Sequence, residues 1–177
     1  VVAVAVSTAE HDVVLDGGER RLLADLDELL GALPRGVLAT WNGRRFDLPY
    51  LAARAARHGL GMGLVLEPDG RGGQRGRWGP HRHLDVYELY RADVGPALGV
   101  SCGLKSIARL VGLGPVEVDV ARFHTVPEAE VRRYVASDAR CTRALLLRRG
   151  PSALGAADRL LEEHHDPSPP LPILAMA

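Results

Sequence analysis

The stretch Thr40-Trp41-Asn42-Gly43-Arg44-Arg45-Phe46-Asp47-Leu48-Pro49-Tyr50-Leu51 sets the reading of the whole chain. Ahead of it, the apolar run 37–41 reads as a strand that Asn42-Gly43 ends with a turn. Behind it, residues 48–58 take helical spacing, with Pro49 tolerated in a first turn and Gly59 placed as a C-cap. A strand, a tight turn and a helix opening on a carboxylate put Asp47 at the carboxyl end of a sheet, where α/β folds open to ligands. Asp47 also fits a plain N-cap, and the local pattern leaves both roles open.

Outward from this stretch the pattern alternates. Residues 1–6 are β-branched and apolar, a buried strand, and residues 12–15 make a return strand closed by Asp16-Gly17-Gly18. Leu22, Leu23, Leu26, Leu29, Leu30 and Leu33 recur at three and four, which predicts a helix over 19–33 closed by Pro34. Residues 61–80 are rich in Gly and Arg without periodicity and read as a mobile surface loop. Residues 83–87 read as a strand running into a helix, 101–111 and 127–149 as helices, and 153–163 as a last helix. The expectation is an α/β domain with a mixed sheet over residues 1–165, followed by an irregular Pro-rich tail over 166–177.

Composition narrows the function. A chain of 177 residues, 46% hydrophobic and 25% charged, suffices for one compact domain. Lys+Arg 22 against Asp+Glu 22 leaves no net charge, so any polyanion site must be local. The basic residues are arginines apart from Lys105. The apolar runs 1–6 and 171–177 are far below the roughly 20 residues that span a bilayer, so no membrane partner is expected. Cys102 and Cys141, placed on predicted helices without CxxC spacing, suit a reducing cytoplasm and core thiols.

A second segment, Arg133-Tyr134-Val135-Ala136-Ser137-Asp138, puts Tyr134 and Asp138 four apart on one helix face, within reach of a common ligand. Taken in order, the Asn42-to-Leu51 segment and Tyr134-x-x-x-Asp138 resemble the second and third motifs of the DEDD superfamily of 3′–5′ exonucleases. The likeness is to the tyrosine-bearing branch, closest to the exonuclease domains of family-B DNA polymerases and their stand-alone relatives. His83-Leu84-Asp85-Val86-Tyr87-Glu88-Leu89 and Gly103-Leu104-Lys105-Ser106-Ile107-Ala108 resemble the family's intervening elements, and the likeness runs over about residues 1–148.

The resemblance implies an RNase H-like mixed sheet flanked by helices. It implies hydrolysis at the 3′ end of single-stranded DNA or RNA by two divalent ions, Mg²⁺ or Mn²⁺, held on four acidic residues. Asp47 would then help to hold one metal and Asp138 the other. Tyr134 would orient the attacking water, and Asn42 and Phe46 would touch the terminal nucleotide. Phe46 fits core packing equally well.

The family's first motif, Asp-x-Glu on the opening strand, is absent. In the favoured reading, residues 1–6 correspond to the family's second strand and the opening strand lies upstream of Val1. In the other, Ser7-Thr8-Ala9 occupies the motif's place, with Glu10 or Asp12 as partial substitutes. Either way the metal site is incomplete, which leaves weak metal affinity and impaired hydrolysis as the expectation and a non-catalytic nucleic-acid-binding or scaffolding module as the competing class.

Arg71, Arg75, Arg77 and Arg82, with Arg44 and Arg45, are candidate phosphate contacts or a solvated loop, and Trp78 either stacks on a base or covers the sheet edge. His81 and His83 have His-x-His spacing without a convincing third ligand, and Asp85 fits a strand-to-helix cap.

Overall fold

The computed structural model describes residues 1–68, 74–119, 122, 125–149 and 173–176. In chain order the elements are β1 (Ala3–Ser7), β2 (Asp12–Asp16), α1 (Glu19–Ala32), β3 (Val37–Thr40), α2 (Asp47–Arg57), β4 (Leu64–Pro68) and β5 (Gln74–Trp78). There follow β6 (His81–Asp85), α3 (Val86–Arg91), α4 (Val94–Leu98), α5 (Leu104–Leu110), α6 (Glu128–Arg148) and β7 (Ile173–Met176). The strands form one mixed sheet in the order β2-β1-β7-β3-β6-β5-β4. β7 is antiparallel to β1 and parallel to β3, and β3 is parallel to β6.

Helix α1 forms where the leucine spacing predicts it and buries that stripe, whereas the short α4 lies outside the expected elements and buries none of its residues. Leu22, Leu23, Leu26 and Leu30 of α1 pack with Leu48 and Leu51 of α2 on Val4, Val6, Leu38, Leu174 and Met176, the side chains of one sheet face. Complete burial of each leucine contributes about 1.5–3 kcal/mol. On the other face Ala39 and Ala175 meet Val86, Tyr90, Ile107, Leu145 and Leu146 from α3, α5 and α6. Ala5, Ala39 and Ala175, all fully buried, leave little side-chain bulk on that face, and α6 packs across β1 and β7. Glu19 at the start of α1 ties it to α2: its carboxylate accepts from Arg54 Nε at 2.8 Å and pairs with His58 Nε2 at 2.7 Å. The Arg54 guanidinium, above all, holds the Glu19 carboxyl well below the usual range. Gly59, at φ +63°, lets α2 end with Leu60 N–H donating to Ala55 O at 2.9 Å.

The fold corrects four expectations. The stretch read as a loop over 61–80 contains the antiparallel hairpin strands β4 and β5; residues 69–73, with Arg71, lie outside the described residues. A Cβ at Gly76 would stand 3.2 Å from Leu48 Cδ1, so a larger residue there makes the leucine give by a few tenths of an ångström. Trp78 is buried at 1% exposure and donates to Asp27 Oδ1 at 2.6 Å, so it is part of the core and free for neither of the roles anticipated. Residues 173–176, read as tail, form a strand in the middle of the sheet. Cys102 precedes α5 instead of lying on it, while Cys141 is buried on α6; both are free thiols. The expected helix over 153–163 lies outside the described residues.

Candidate active site

The parallel pairing of β3 with β6 sets Thr40 opposite Asp85, so the Asp85 carboxylate lies beside the turn that leaves β3. Oδ1 accepts from Asn42 N–H at 2.7 Å and from Tyr87 N–H at 3.2 Å, and Oδ2 accepts from Arg44 N–H at 3.1 Å. Asp85 is therefore the cap that its position suggests, and it also fastens the turn. Asn42 takes φ +61°, a left-handed conformation that asparagine tolerates better than most residues. Gly43 follows under the Thr40 side chain, where a Cβ would meet Thr40 Oγ1 at 2.3 Å. Thr40 Oγ1 in turn bonds His83 Nε2 at 2.7 Å. Burial, with the Arg44 charge behind it, pushes the His83 imidazole down to about 4, so this histidine is neutral near pH 7. His81 donates to Leu30 O at 2.7 Å, and both histidines are structural.

The fastened turn sets the next residues. Phe46 is the N-cap residue of α2 without a side-chain cap bond, and Asp47 is the first helical residue, so Asp47 is not the N-cap. Phe46 is 64% exposed, which removes the core-packing alternative. Phe46, Asn42 and Asp47 line one wall of a cleft of ≈ 380 Å³; Ser101, Gly103 and Leu104 line it too. Trp41, also in the lining, donates its indole N–H to Cys102 O at 3.1 Å and stands edge-on to Tyr87. Asn42 Oδ1 is buried without a partner among the described residues. Asp47 borders a second hollow of ≈ 180 Å³, with Val1 to Val4, Tyr50, Leu51 and Met176. Although its side chain reaches solvent, these walls strip away enough water to push its carboxyl above the ordinary range, against its own backbone N–H.

Tyr134 and Asp138 lie on α6 and do share one neighbour, the Lys105 ammonium of α5. It donates to Asp138 Oδ1 and, at 2.7 Å, to Val116 O, and it stands 4.3 Å from the centre of the Tyr134 ring. Ser137 Oγ accepts from Val116 N–H at 2.9 Å and holds that segment on α6. Burial, chiefly, pushes the Lys105 ammonium down to about 8, and burial raises the Tyr134 phenol. The sequence reading missed Lys105 and the second role of Asp85. The signal for Lys105 was its being the sole lysine in an arginine-rich chain.

The fit to a divalent metal pair fails on the described residues. Hard cations take about six or more oxygens, yet among the described residues no three His, Cys, Asp or Glu side chains group closely enough to hold an ion. Asp138 is already neutralised by Lys105, and Asp47 stands on a helix packed against the opposite sheet face.

Residues 18–124 match the family model of the RNase_H superfamily. The chain belongs to the RNase H superfamily. It is also similar to a catalytic polypeptide of DNA polymerase epsilon from Arabidopsis thaliana, 32% identical over 117 residues, 62% of this chain and 5% of that protein. The corresponding DNA polymerase epsilon polypeptide of Eremothecium gossypii is 32% identical over 104 residues, 57% of this chain and 5% of that protein. The chain thus spans about 5% of the length of these curated relatives. The RNase H-like fold and the DEDD-type likeness read from the sequence rest on both findings, and nuclease families of this kind bind nucleic acid. Among the described residues no helix is long and apolar enough to cross a membrane.

Proposed function

We propose that this RNase H-like chain engages the 3′ end of single-stranded DNA or RNA as a 3′–5′ exonuclease domain of the tyrosine-bearing DEDD branch. The observation that carries this reading is Phe46, a large apolar side chain left exposed on a turn that Asp85 fastens, beside Asn42 and Asp47 in one cleft. A fixed aromatic at a cleft wall is a stacking platform for a terminal base, worth about 1–3 kcal/mol. Asn42, held on the same fastened turn, lines the cleft beside Phe46 and is placed against a terminal nucleotide stacked there. Lys105 places a positive charge between Tyr134 and Asp138. Hydrolysis with Mg²⁺ or Mn²⁺ requires acidic ligands beyond those described, so these residues account for binding and positioning.

The Lys105–Asp138 pair favours a second reading, a binding module in which an internal ammonium has replaced a metal. Fluorescence anisotropy with a single strand bearing a free 3′-hydroxyl, against the same strand blocked at that end, tests the shared claim. Phe46→Ala is expected to weaken binding of the free end by about 5- to 100-fold. Equal binding of both strands, or no effect of Phe46→Ala, overturns it. Mn²⁺-dependent trimming of a labelled strand, lost in Asp138→Asn, then separates the enzyme from the binding module.

A further inference from the structure

Phe46 and Tyr50 are the two exposed aromatic side chains among the described residues, at 64% and 54% exposure. They stand one helical turn apart: Tyr50 N–H donates to Phe46 O at 3.0 Å, and Pro49, between them, has a fixed φ. Leu48 and Leu51, at 1% and 4% exposure, bury the opposite side of the same turn in the core. Both rings are therefore presented by a backbone that is held from behind. Apolar side chains exposed singly are ordinary, but two aromatic rings on one helix face form a continuous platform.

The two rings also serve adjoining spaces. Phe46 and Asp47 line the ≈ 380 Å³ cleft, whereas Asp47 and Tyr50 line the ≈ 180 Å³ hollow, so Asp47 is a wall common to both. The remaining side chains around the hollow, those of Val1 to Val4, Leu51 and Met176, are apolar. An apolar slot with an aromatic wall suits the flat face of a base. Four residues of helix rise about 6 Å, whereas successive bases of a stacked strand lie about 3.4 Å apart. One base on each ring thus requires an unstacked, extended strand.

We propose that Tyr50 is a second stacking platform, which takes the penultimate base of a single strand whose 3′-terminal base lies on Phe46. This rests on the 3′-end reading for the assignment of the terminal base. Continuity with the Phe46 cleft through Asp47 argues for a nucleic-acid strand here over an apolar protein segment. The strand is then held by two successive base faces, which makes the grip tolerant of sequence and sensitive to a missing base.

The test pairs side-chain truncation with removal of single bases. Fluorescence anisotropy follows a labelled single strand that is intact, abasic at its 3′ end or abasic at the penultimate place, against the parent chain, Phe46→Ala, Tyr50→Ala and Tyr50→Phe. Tyr50→Ala is expected to weaken binding of the intact strand by about 5- to 100-fold and to cost the strand without its penultimate base nothing further. Phe46→Ala should couple in the same way to the terminal base alone, and Tyr50→Phe, which keeps the ring, should bind as the parent does. Because all strands meet the same variant, any loss of folding cancels from the comparison. Equal losses for Tyr50→Ala on the intact and penultimate-abasic strands, no loss on either, or a loss in Tyr50→Phe as large as in Tyr50→Ala overturns the proposal. Coupling of Tyr50 to the penultimate base while free and 3′-blocked strands bind equally upholds the platform and counts against the 3′-end reading instead.

Discussion

Replacing Asp85 by Asn tests whether one buried carboxylate organises the site. The two side chains are nearly isosteric, so shape is kept while acceptor capacity and charge change. Asp85 is 6% exposed and accepts three backbone N–H groups with two oxygens. An amide keeps one oxygen and turns an NH₂ towards the N–H of either Arg44 or Asn42. One charge-assisted bond, worth about 1.5–3 kcal/mol, disappears, and the remaining bonds fall to the neutral value of about 0.5–1.5 kcal/mol. Burial raises the Asp85 carboxyl above its usual range despite the three bonds, and relief of that desolvation returns part of the loss. The net expectation is a destabilisation of about 3 kcal/mol, seen as a fall of about 6–12 °C in Tm for a domain of this size. Calorimetry gives the Tm, and exchange at the Asn42 and Arg44 amides shows where the loss arises. A Tm within about 2 °C of the parent would refute the argument that Asp85 fastens the turn.

His83 predicts an acid limb. Its folded value of about 4 lies below the ordinary 6.5, so the unfolded chain takes up the proton first; its contribution is full above pH 6.5 and falls by about 3 kcal/mol as the pH drops to 4. Urea melts of the parent and His83→Gln across that range should differ by this slope, and parallel curves would contradict it. Gly43→Ala drives a methyl into the buried Thr40 side chain and should cost about 1–3 kcal/mol and weaken 3′-end binding, measured by melting and anisotropy. Trp78→Phe removes the bond to Asp27 and should cost about 1–2 kcal/mol without changing the affinity for a strand end, since Trp78 lies in the core.

Much of this was legible from one-dimensional spacing. The leucines of α1, the strand-turn-helix of β3 and α2, and the four-residue step from Tyr134 to Asp138 each obey a local period, and each stands where that period put it. The hairpin of β4 and β5 was not legible, because Gly76 and the arginines of Gln74–Trp78 hide the alternation of its strands. β7 is too short to show a period, and its place comes from partners over a hundred residues away in the chain. The exposure of Phe46 and the partnership of Lys105 with Asp138 are tertiary facts that no window of sequence contains.

The position of β7 also orders the folding reaction. Among the described residues β1 and β3 share no ladder; each is joined to the other only through a strand from the far end of the described chain. Until β7 arrives, the sheet exists as two pieces, β2-β1 and β3-β6-β5-β4, each with an open inner edge. Among the described strands β7 makes the most sequence-distant ladder, to β1, and it is an interior strand, so closing the sheet waits on a long loop closure and this step is slow. During synthesis on the ribosome both inner edges stay open until β7 emerges, and that interval is when chaperone capture or edge-to-edge aggregation competes with folding.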